Sequence, residues 1–460
     1  MHGVQKMKDK GVFHSIVALA WPTILEQAMQ VAVQYIDYAM VGSVGVAALA
    51  AVGVMGTMTW LVNSPLWALA AAFLACVARD VGAQDVPHAR RTAAQAVTVS
   101  VAVGAVMTAL FVSLSPRIPQ IMGAAPEIRK SAALYFAIVC APLMFRALLI
   151  VLGGVLRGAG DTRTPMLVNL GLNLLNIVLN CLLIYPARDV LLLGHSVHVW
   201  GANLGVAGAS LATALAYVSG GVSMLLSLLR HPETSPRGMR FLPDREILKP
   251  CVRIAIPATL QRLTACLGQV TFQSMVNSLG TVAATAHATA ITAESAFYIP
   301  GFGMQAAASA LIGQAYGARD KARMGQLART FLLLIVGLMS VTGALLFLLA
   351  RPVMGVFTGD SAVLSLGASV LMMVAVSEPV YGVAIILEGV FYGVGDTKSP
   401  FVFEAACMWG VRILGTVLAV KVMGLGLRAA WGCMIAHNVT LAVLMAVRYR
   451  RGRWNPLNVF

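Results

Sequence analysis

Charge is what this sequence has least of. Only 11% of its 460 residues are Asp, Glu, Lys or Arg, while 59% are hydrophobic. A soluble domain carries about 25% charged and about 45–50% apolar residues. A chain this poor in charge could not keep a globular surface in water, which excludes a soluble enzyme, a secreted disulfide scaffold and a disordered chain. Acids are scarcer still, 18 against 33 Lys and Arg, for a net charge of +15. No Cys-x-x-Cys joins the seven cysteines, which are scattered through apolar runs and read as small buried residues. There is no G-x-x-x-x-G-K-[ST] for ATP and no H-E-x-x-H for zinc. Nor is any polar segment long enough to be a nucleotide-binding domain. No cofactor is expected, and energy would come from an ion gradient or the process would be passive. No cleavable signal peptide is expected, because the apolar run from about Val12 is long enough to span.

What the chain does have is membrane-spanning length. A bilayer crossing needs about 20 apolar residues. Twelve runs qualify, at roughly 12–41, 46–78, 92–115, 132–156, 166–186, 203–229, 251–277, 281–315, 330–350, 362–391, 401–421 and 424–447. Pro22, Pro65, Pro142, Pro257, Pro300 and Pro379 lie inside them as kink candidates. The cationic side chains then report topology rather than nucleic acid. With the N-terminus and every second loop assigned to one side, 23 of the 33 fall there, including Lys6, Lys8 and Lys10, and seven fall opposite. Arg146, Arg262 and Arg412 lie within spans. This bias predicts a multi-pass plasma (inner) membrane protein with both termini cytoplasmic.

An internal repeat organises these spans. Pro22 answers Pro257, "MVGSVG" from Met40 answers "MVNSLG" from Met275, and Pro65 answers Pro300. "VGAQD" from Val81 answers "YGARD" from Tyr316, and "GVLRGAGDTRTPM" from Gly154 answers "GVFYGVGDTKSPF" from Gly389. All five pairs are 235 residues apart. Pro142 and Pro379 miss that offset by two, which suggests compensating gaps. An offset of six spans makes the copies parallel. The fold class expected is an all-α polytopic membrane protein, twelve transmembrane helices in two six-helix lobes with a central cavity as the natural substrate site. The lobes are 1–230 and 251–460, the latter with a short basic tail, joined by a cytoplasmic linker at 231–250.

Six of the eighteen acids lie within spans: Glu26, Asp37, Glu294, Glu378, Glu388 and Glu404. An ionised acid at a helix centre costs about 2.5–3.5 kcal/mol, so each must face a polar interior, be paired or be protonated. Asp37 ends a polar stripe of Thr23, Glu26, Gln27, Gln30 and Gln34 within an arc of about 100°. On the fifth span Asn169, Asn173, Asn176 and Asn180 share a face of about 60° and need partners that lipid cannot supply. These stripes are expected to line one wet cavity, the alternative being interhelical amide bonding. A carboxylate among amides and hydroxyls suits a proton or a small hard cation such as Na+. In the second lobe Gln261, Gln269, Gln273, Glu294 and Glu378 are polar candidates, with Arg146, Arg262 and Arg412 as candidate counter-ions. Asp37 maps onto Phe272 at the repeat offset, so the lobes are not equivalent and coupling is expected in the first. Glu404 reads as helix-dipole stabilisation near Pro400, and His287 and His437 as satisfied interior histidines. Tyr38 and other span aromatics could stack on an organic cation. The Gly158–Asp161 and Gly393–Asp396 segments read G-x-G-D, also a signature of intramembrane aspartyl proteases. Thr164 and Ser399 as N-caps, with Pro165 and Pro400 opening the next helices, explain them more simply.

These residues resemble the multidrug and toxic compound extrusion family across essentially the whole chain. The carriers are "WPTILEQAMQVAVQYIDYAMVGSVG", "GVLRGAGDTRTPM" and "GFGMQAAASALIGQAYGARD". The resemblance implies a V-shaped central cavity and export of organic cations in exchange for H+ or Na+. It places the family's first-helix acid on Asp37, the fifth-helix polar cluster on Asn176 and Asn180, and a sixth-helix threonine on Thr213. A Na+ would then be held by Asp37, Asn176 and Asn180, with Gln30, Gln34, Tyr38, Asn173, Gln269, Gln273, Glu294 and Glu378 toward substrate. Some members carry Asp where this chain has Asn180, and others an acid near Gln269, which favours a single-acid site like that of the DinF-like branch. The partners expected are small organic cations and the bilayer, with no nucleic acid and a monomeric state. The rival readings are a flippase for a lipid-linked or amphipathic metabolite and, remotely, the protease.

Overall fold

The computed structural model describes residues 11–192 and 195–458. Lys6, Lys8 and Lys10 lie outside them. The helices are α1 (Val12–Gly42), α2 (Val46–Gly82), α3 (Val86–Leu114), the single turn α4 (Ile118–Ile121), α5 (Pro126–Cys140), α6 (Leu143–Gly158), α7 (Arg163–Leu183) and α8 (Gly205–Arg230). There follow α9 (Arg245–Asn277), α10 (Thr281–Gly317), α11 (Lys321–Phe357), α12 (Ser361–Ala375), α13 (Glu378–Gly393), α14 (Lys398–Ala406) and α15 (Leu427–Arg450). Beyond Ala406, α14 runs on with wide π-helical backbone at Cys407–Ile413 and Val417–Val422, separated by the turn Leu414–Thr416. Among the described residues eight helices are long and apolar enough to cross a membrane, and two bent pairs, α5–α6 and α12–α13, make ten. α9 and α10, at 33 and 37 residues, are outside this set of ten but are long enough to be consistent with two further passages. The all-helical expectation misses one feature, an antiparallel hairpin of β1 (Pro186–Leu192) and β2 (His195–Ala202) in the loop before α8.

The repeat governs the backbone. α1 and α9 end 235 residues apart, at Gly42 and Asn277. α2 and α10 both start and end at that offset, and so do the pairs α5/α12 and α6/α13. The bends fall at 141–142 and 376–377, again 235 apart, with angles of 50° and 56°. The compensating gaps inferred from Pro142 and Pro379 are therefore unnecessary. The break is conserved between the copies, and the proline occupies its last residue in one (Pro142) and the second helical residue in the other (Pro379). Pro22, Pro65, Pro257 and Pro300 lie inside unbroken helices.

The G-x-G-D loops are turn chemistry. α6 and α13 end at Gly158 and Gly393, and Gly160 and Gly395 take φ of +91° and +83°, which favours glycine. The following amides close the turn, Asp161 N–H onto Leu156 O and Asp396 N–H onto Phe391 O, both at 2.9 Å. Thr164 and Ser399 are not the caps. α7 and α14 begin before them, and the carboxylates of Asp161 and Asp396 accept from the Thr164 and Ser399 amides at 3.0 and 3.2 Å. A carboxylate reaches a free N–H of a first helical turn as a serine would, and its charge suits the dipole. Asp396 also accepts from Arg448 at 2.7 Å.

By contacts the chain falls into two compact units. One comprises Met1–Ala28, Leu74–Asp85 and Pro250–Phe460, the other Met29–Phe73 and Val86–Lys249. In the second unit a Cβ on Gly154 would lie 2.5 Å from Ala70 O. In the first unit a Cβ on Gly389 would lie 2.6 Å from Gln305 O, the same contact one repeat later. Within the first unit the ends of α2 and α10 cross reciprocally. A Cβ on Gly82 would overlap Gln314 O, and one on Gly317 would overlap Arg79 O. Each of these pairs maps onto the other by 235, so two copies of one sequence element pack backbone to backbone. Only glycine allows that approach. Near this crossing Cys76 and Cys251, both buried and unbridged, place their sulfurs 3.1 Å apart.

Candidate ion-coupling site

α7 turns the usual amphipathic pattern inside out. Asn173, Asn176 and Asn180 are buried, while Leu167, Leu174 and Val178 on the opposite face are more than half exposed. In lipid the apolar face points outward and the amides must find partners inside. They find them on α1 and α8. Asn180 Nδ2 donates to Asp37 Oδ1 at 2.6 Å and to Asn176 Oδ1 at 3.2 Å. Asn176 Nδ2 donates to Thr213 Oγ1 at 3.4 Å, and the Thr213 hydroxyl donates to Ala209 O at 3.0 Å. Turning the Asn176 amide over gives a second arrangement, with its Nδ2 2.9 Å from Asp37 Oδ1 and its oxygen 3.3 Å from the Thr213 amide N. Asp37, Asn176, Asn180 and Thr213 thus form one cluster from three helices of the second unit.

Two buried polar atoms here lack partners, Asn180 Oδ1 and Asn173 Nδ2. A buried amide oxygen without a donor is costly. The cluster thus holds a carboxylate, two amides and a hydroxyl, residue types whose oxygens suit a small cation, or a proton on Asp37, once the amides turn their oxygens toward the carboxylate.

The rest of the α1 stripe does not reach this cluster. Thr23, buried, donates to Gly303 O at 2.8 Å in the first unit, to which Glu26 also belongs. Gln30 is half-buried and Gln34 exposed. Asn169 bonds back onto Pro165 O of its own helix at 2.9 Å. The Asp37 end of one stripe meets the Asn176–Asn180 end of the other. Tyr38 packs its ring into a small apolar cluster with Val41, Val52 and Ile184. Tyr135 lies in electrostatic reach of Asp37, Tyr38 and Tyr217, and sequence reading did not single it out. Arg146, expected as a counter-ion for an acid, instead donates to Asn63 Oδ1 at 3.1 Å and lies 4.0 Å over the Tyr217 ring. Asn63, Tyr135 and Tyr217 belong to no long polar stripe of the kind seen on α1 and α7.

The second repeat has nothing equivalent. At the positions of Asp37, Asn176 and Asn180 it carries Phe272, Val411 and Gly415. Phe272 is fully buried with the Arg412 guanidinium 4.2 Å over its ring, and Arg412 also donates to Gln269 Oε1 at 3.1 Å. Glu294 and Glu404 lie in electrostatic reach of Arg412. Glu404 is the seventh residue of α14, beyond its first turn, and sits 3.5 Å from His437 Nε2, so pairing replaces the dipole role expected for it. His287 Nδ1 accepts from Trp431 Nε1 at 3.1 Å, but His287 Nε2 and His437 Nδ1 are buried without a partner, so the two interior histidines are only half satisfied. Glu388 accepts from Gln261 at 3.1 Å and feels Arg262. Glu378 is buried with neither oxygen partnered, and Gln273 bonds along its own helix to Asn277 at 2.8 Å.

Comparison with known proteins gives one consistent result. The MatE family model matches this chain twice, at residues 22–182 and 257–418, two spans whose starts are 235 residues apart. The probable multidrug resistance protein NorM of Thermotoga maritima is 25% identical over 439 residues, covering 95% of this chain and 92% of its own. The multidrug resistance protein MdtK of Edwardsiella ictaluri is 26% identical over 460 residues, covering 95% and 94%. A solved outward-facing structure of a multidrug resistance MATE family transporter matches in fold with a TM-score of 0.90. It is 23% identical and covers 100% of this chain and 99% of that one.

Proposed function

The chain belongs to the MatE family of membrane transporters, and on that premise we propose that it is a secondary antiporter exporting small organic cations in exchange for H+ or Na+. The observation that carries this reading is the partly buried contact between Asp37 and Asn180 at 2.6 Å, backed by Asn176 and Thr213. The relatives named for multidrug resistance support the export of organic compounds. Six acids within spans against three arginines favour cationic ones. The lack of any nucleotide-binding motif favours gradient drive.

Coupling requires the ion to bind differently in the two facing states, because a ligand of equal affinity for both shifts nothing. Asp37, Asn176–Asn180 and Thr213 stand on three helices, so a shift of α1 against α7 and α8 changes how many oxygens an ion meets. With the amide oxygens turned inward the site offers Asp37, Asn180 Oδ1 and Thr213 Oγ1 to a cation. With the amide nitrogens turned inward, as at 2.6 Å, the vacated carboxylate is held by N–H donors instead. Gln30, Gln34, Tyr38 and Asn173 on the same helices serve the substrate side of this reading, as do Gln269, Gln273, Glu294 and Glu378 in the second repeat. The excess of cationic residues in alternate loops supports a cytoplasmic location for both termini in a bacterial-type inner membrane.

Gradient-driven uptake of a cationic dye into proteoliposomes tests this, first with a proton gradient and then with sodium. One gradient should accelerate uptake, and Asp37→Asn should abolish the acceleration. Dye movement that is indifferent to both gradients would overturn the antiport reading.

A further inference from the structure

The loop between α8 and α9 does not hang free. His231 to Ser235 closes a turn, with Ser235 N–H on His231 O at 3.1 Å and the Ser235 hydroxyl on Leu229 O at 2.8 Å. Arg90, in the first turns of α3, donates to Pro232 O at 2.8 Å. Farther along, the Thr98 hydroxyl donates to Phe241 O and the Gln95 amide to Leu242 O, both at 2.8 Å. The loop is therefore fastened along α3 from Arg90 to Thr98, about 12 Å of helix axis.

Between the turn and α3 lies a cavity of about 430 Å³ lined by Arg90, Arg230, His231, Ser235 and Arg237, among others. Every formally charged residue in that lining is an arginine. The carboxylates in reach of His231, Glu233 and Asp161, are not part of it. Asp161 already accepts from the Thr164 amide. One donor is left over: Arg90 Nε is buried and has no acceptor. Guanidinium groups with a free N–H match the oxygens of a phosphate.

The source of that phosphate is indicated by the next stretch of the loop. Phe241 and Leu242 are 48% and 75% exposed. Their carbonyls are pinned to α3 at Thr98 and Gln95, and Gln95 lies about 7.5 Å along the helix from Arg90, toward the middle of this spanning segment. Apolar side chains facing out beside a spanning helix, one to two turns inward of a basic pocket, match acyl chain below and headgroup above. We propose that this pocket binds the phosphodiester headgroup of an anionic phospholipid, with Arg90, Arg230 and Arg237 on its oxygens and Phe241 and Leu242 against its chains. The site is separate from Asp37, and its occupancy does not depend on the transport reading.

The test is binding of phosphatidylglycerol to the detergent-solubilised full chain, read by native mass spectrometry and by melting temperature. Phosphatidylcholine and inorganic phosphate run in parallel. One phosphatidylglycerol should be retained in preference to phosphatidylcholine, and Arg237→Gln should weaken it by about tenfold. Arg90→Gln should do the same. If Arg90→Gln lowers the melting temperature without lipid, Arg237→Gln, an exposed side chain, decides the matter. Arg450→Gln, on the same side but outside the pocket, should change nothing. Equal affinity in Arg237→Gln and the parent chain would overturn the site, and so would an equal loss in Arg450→Gln. Inorganic phosphate binding as tightly as phosphatidylglycerol would overturn its assignment to lipid.

Discussion

Asn180 reaches Asp37 across 143 residues of sequence and hands it an N–H at 2.6 Å, the shortest side-chain bond of the polar cluster on α1, α7 and α8. Each residue gives the other its reason to be buried in a membrane. The carboxylate gains a donor, and the amide gains an acceptor that no lipid supplies.

Asp37→Asn should leave the chain folded, because an amide fills the same volume and still bonds Asn180. Ion-driven uptake should vanish. With Na+ as the coupling ion, Asn180→Leu should keep some transport but weaken the apparent Na+ affinity by about 10- to 100-fold, about 1.5–3 kcal/mol, because it removes the Asn180 Oδ1 ligand. Measuring uptake against ion concentration separates the two. Normal coupling in Asp37→Asn would remove this residue from the mechanism.

The reciprocal crossing of α2 and α10 predicts a pair of sensitive glycines. Gly82→Ala and Gly317→Ala each drive a methyl group into a carbonyl of the facing helix, Gln314 or Arg79. Each should cost about 1–3 kcal/mol and lower the melting temperature. Because they share one crossing, the double variant should lose less than the sum. An unchanged melting temperature in Gly317→Ala would contradict the close approach.

Asp396 is expected to act on stability alone. Asp396→Ala removes the bond to the Ser399 amide and the pair with Arg448, both partly buried. A loss of about 1–2 kcal/mol follows from a cap and a partly exposed ion pair. Dye transport per folded molecule should be unchanged. Peptide cleavage that depends on Asp396 or Asp161 would revive the protease reading and contradict this.

His231, outside the spanning segments, has its pKa lowered below 6.5, first by burial, with Asp161 and Glu233 opposing the shift. Its Nδ1 meets the Thr234 hydroxyl at 2.9 Å, and the arginines of the pocket face it too. The folded form therefore favours the neutral ring. The turn keeps its full stability above pH 6.5 and loses it as pH falls from there through the folded pKa. In lipid-free detergent the NMR titration of His231 should have its midpoint below 6.5, and His231→Gln should lose less stability than the parent chain between pH 7 and 5. A midpoint at or above 6.5 would contradict the burial of the ring.

The sequence by itself determined the helical, membrane-spanning character of the chain and its doubling. Both follow from local rules. A backbone in lipid must satisfy its own hydrogen bonds, so an apolar run of sufficient length becomes a helix. A repeated sequence repeats its helix ends, and the bends at 141–142 and 376–377 kept the offset even where Pro142 and Pro379 did not. That Asn173, Asn176 and Asn180 face inward was also legible, from their spacing alone. Only the tertiary structure decided what they face. The stripe on α1 read as one surface, yet Thr23 turned to Gly303 and Asp37 to Asn180, because a helix of 31 residues packs against different neighbours along its length. Arg146 found Asn63 and Tyr217 in place of an acid, and Glu404 found His437 in place of a helix end. Pairings of this kind depend on the rotation and depth of several helices at once, fixed by packing over the whole unit, and no window of sequence carries that information.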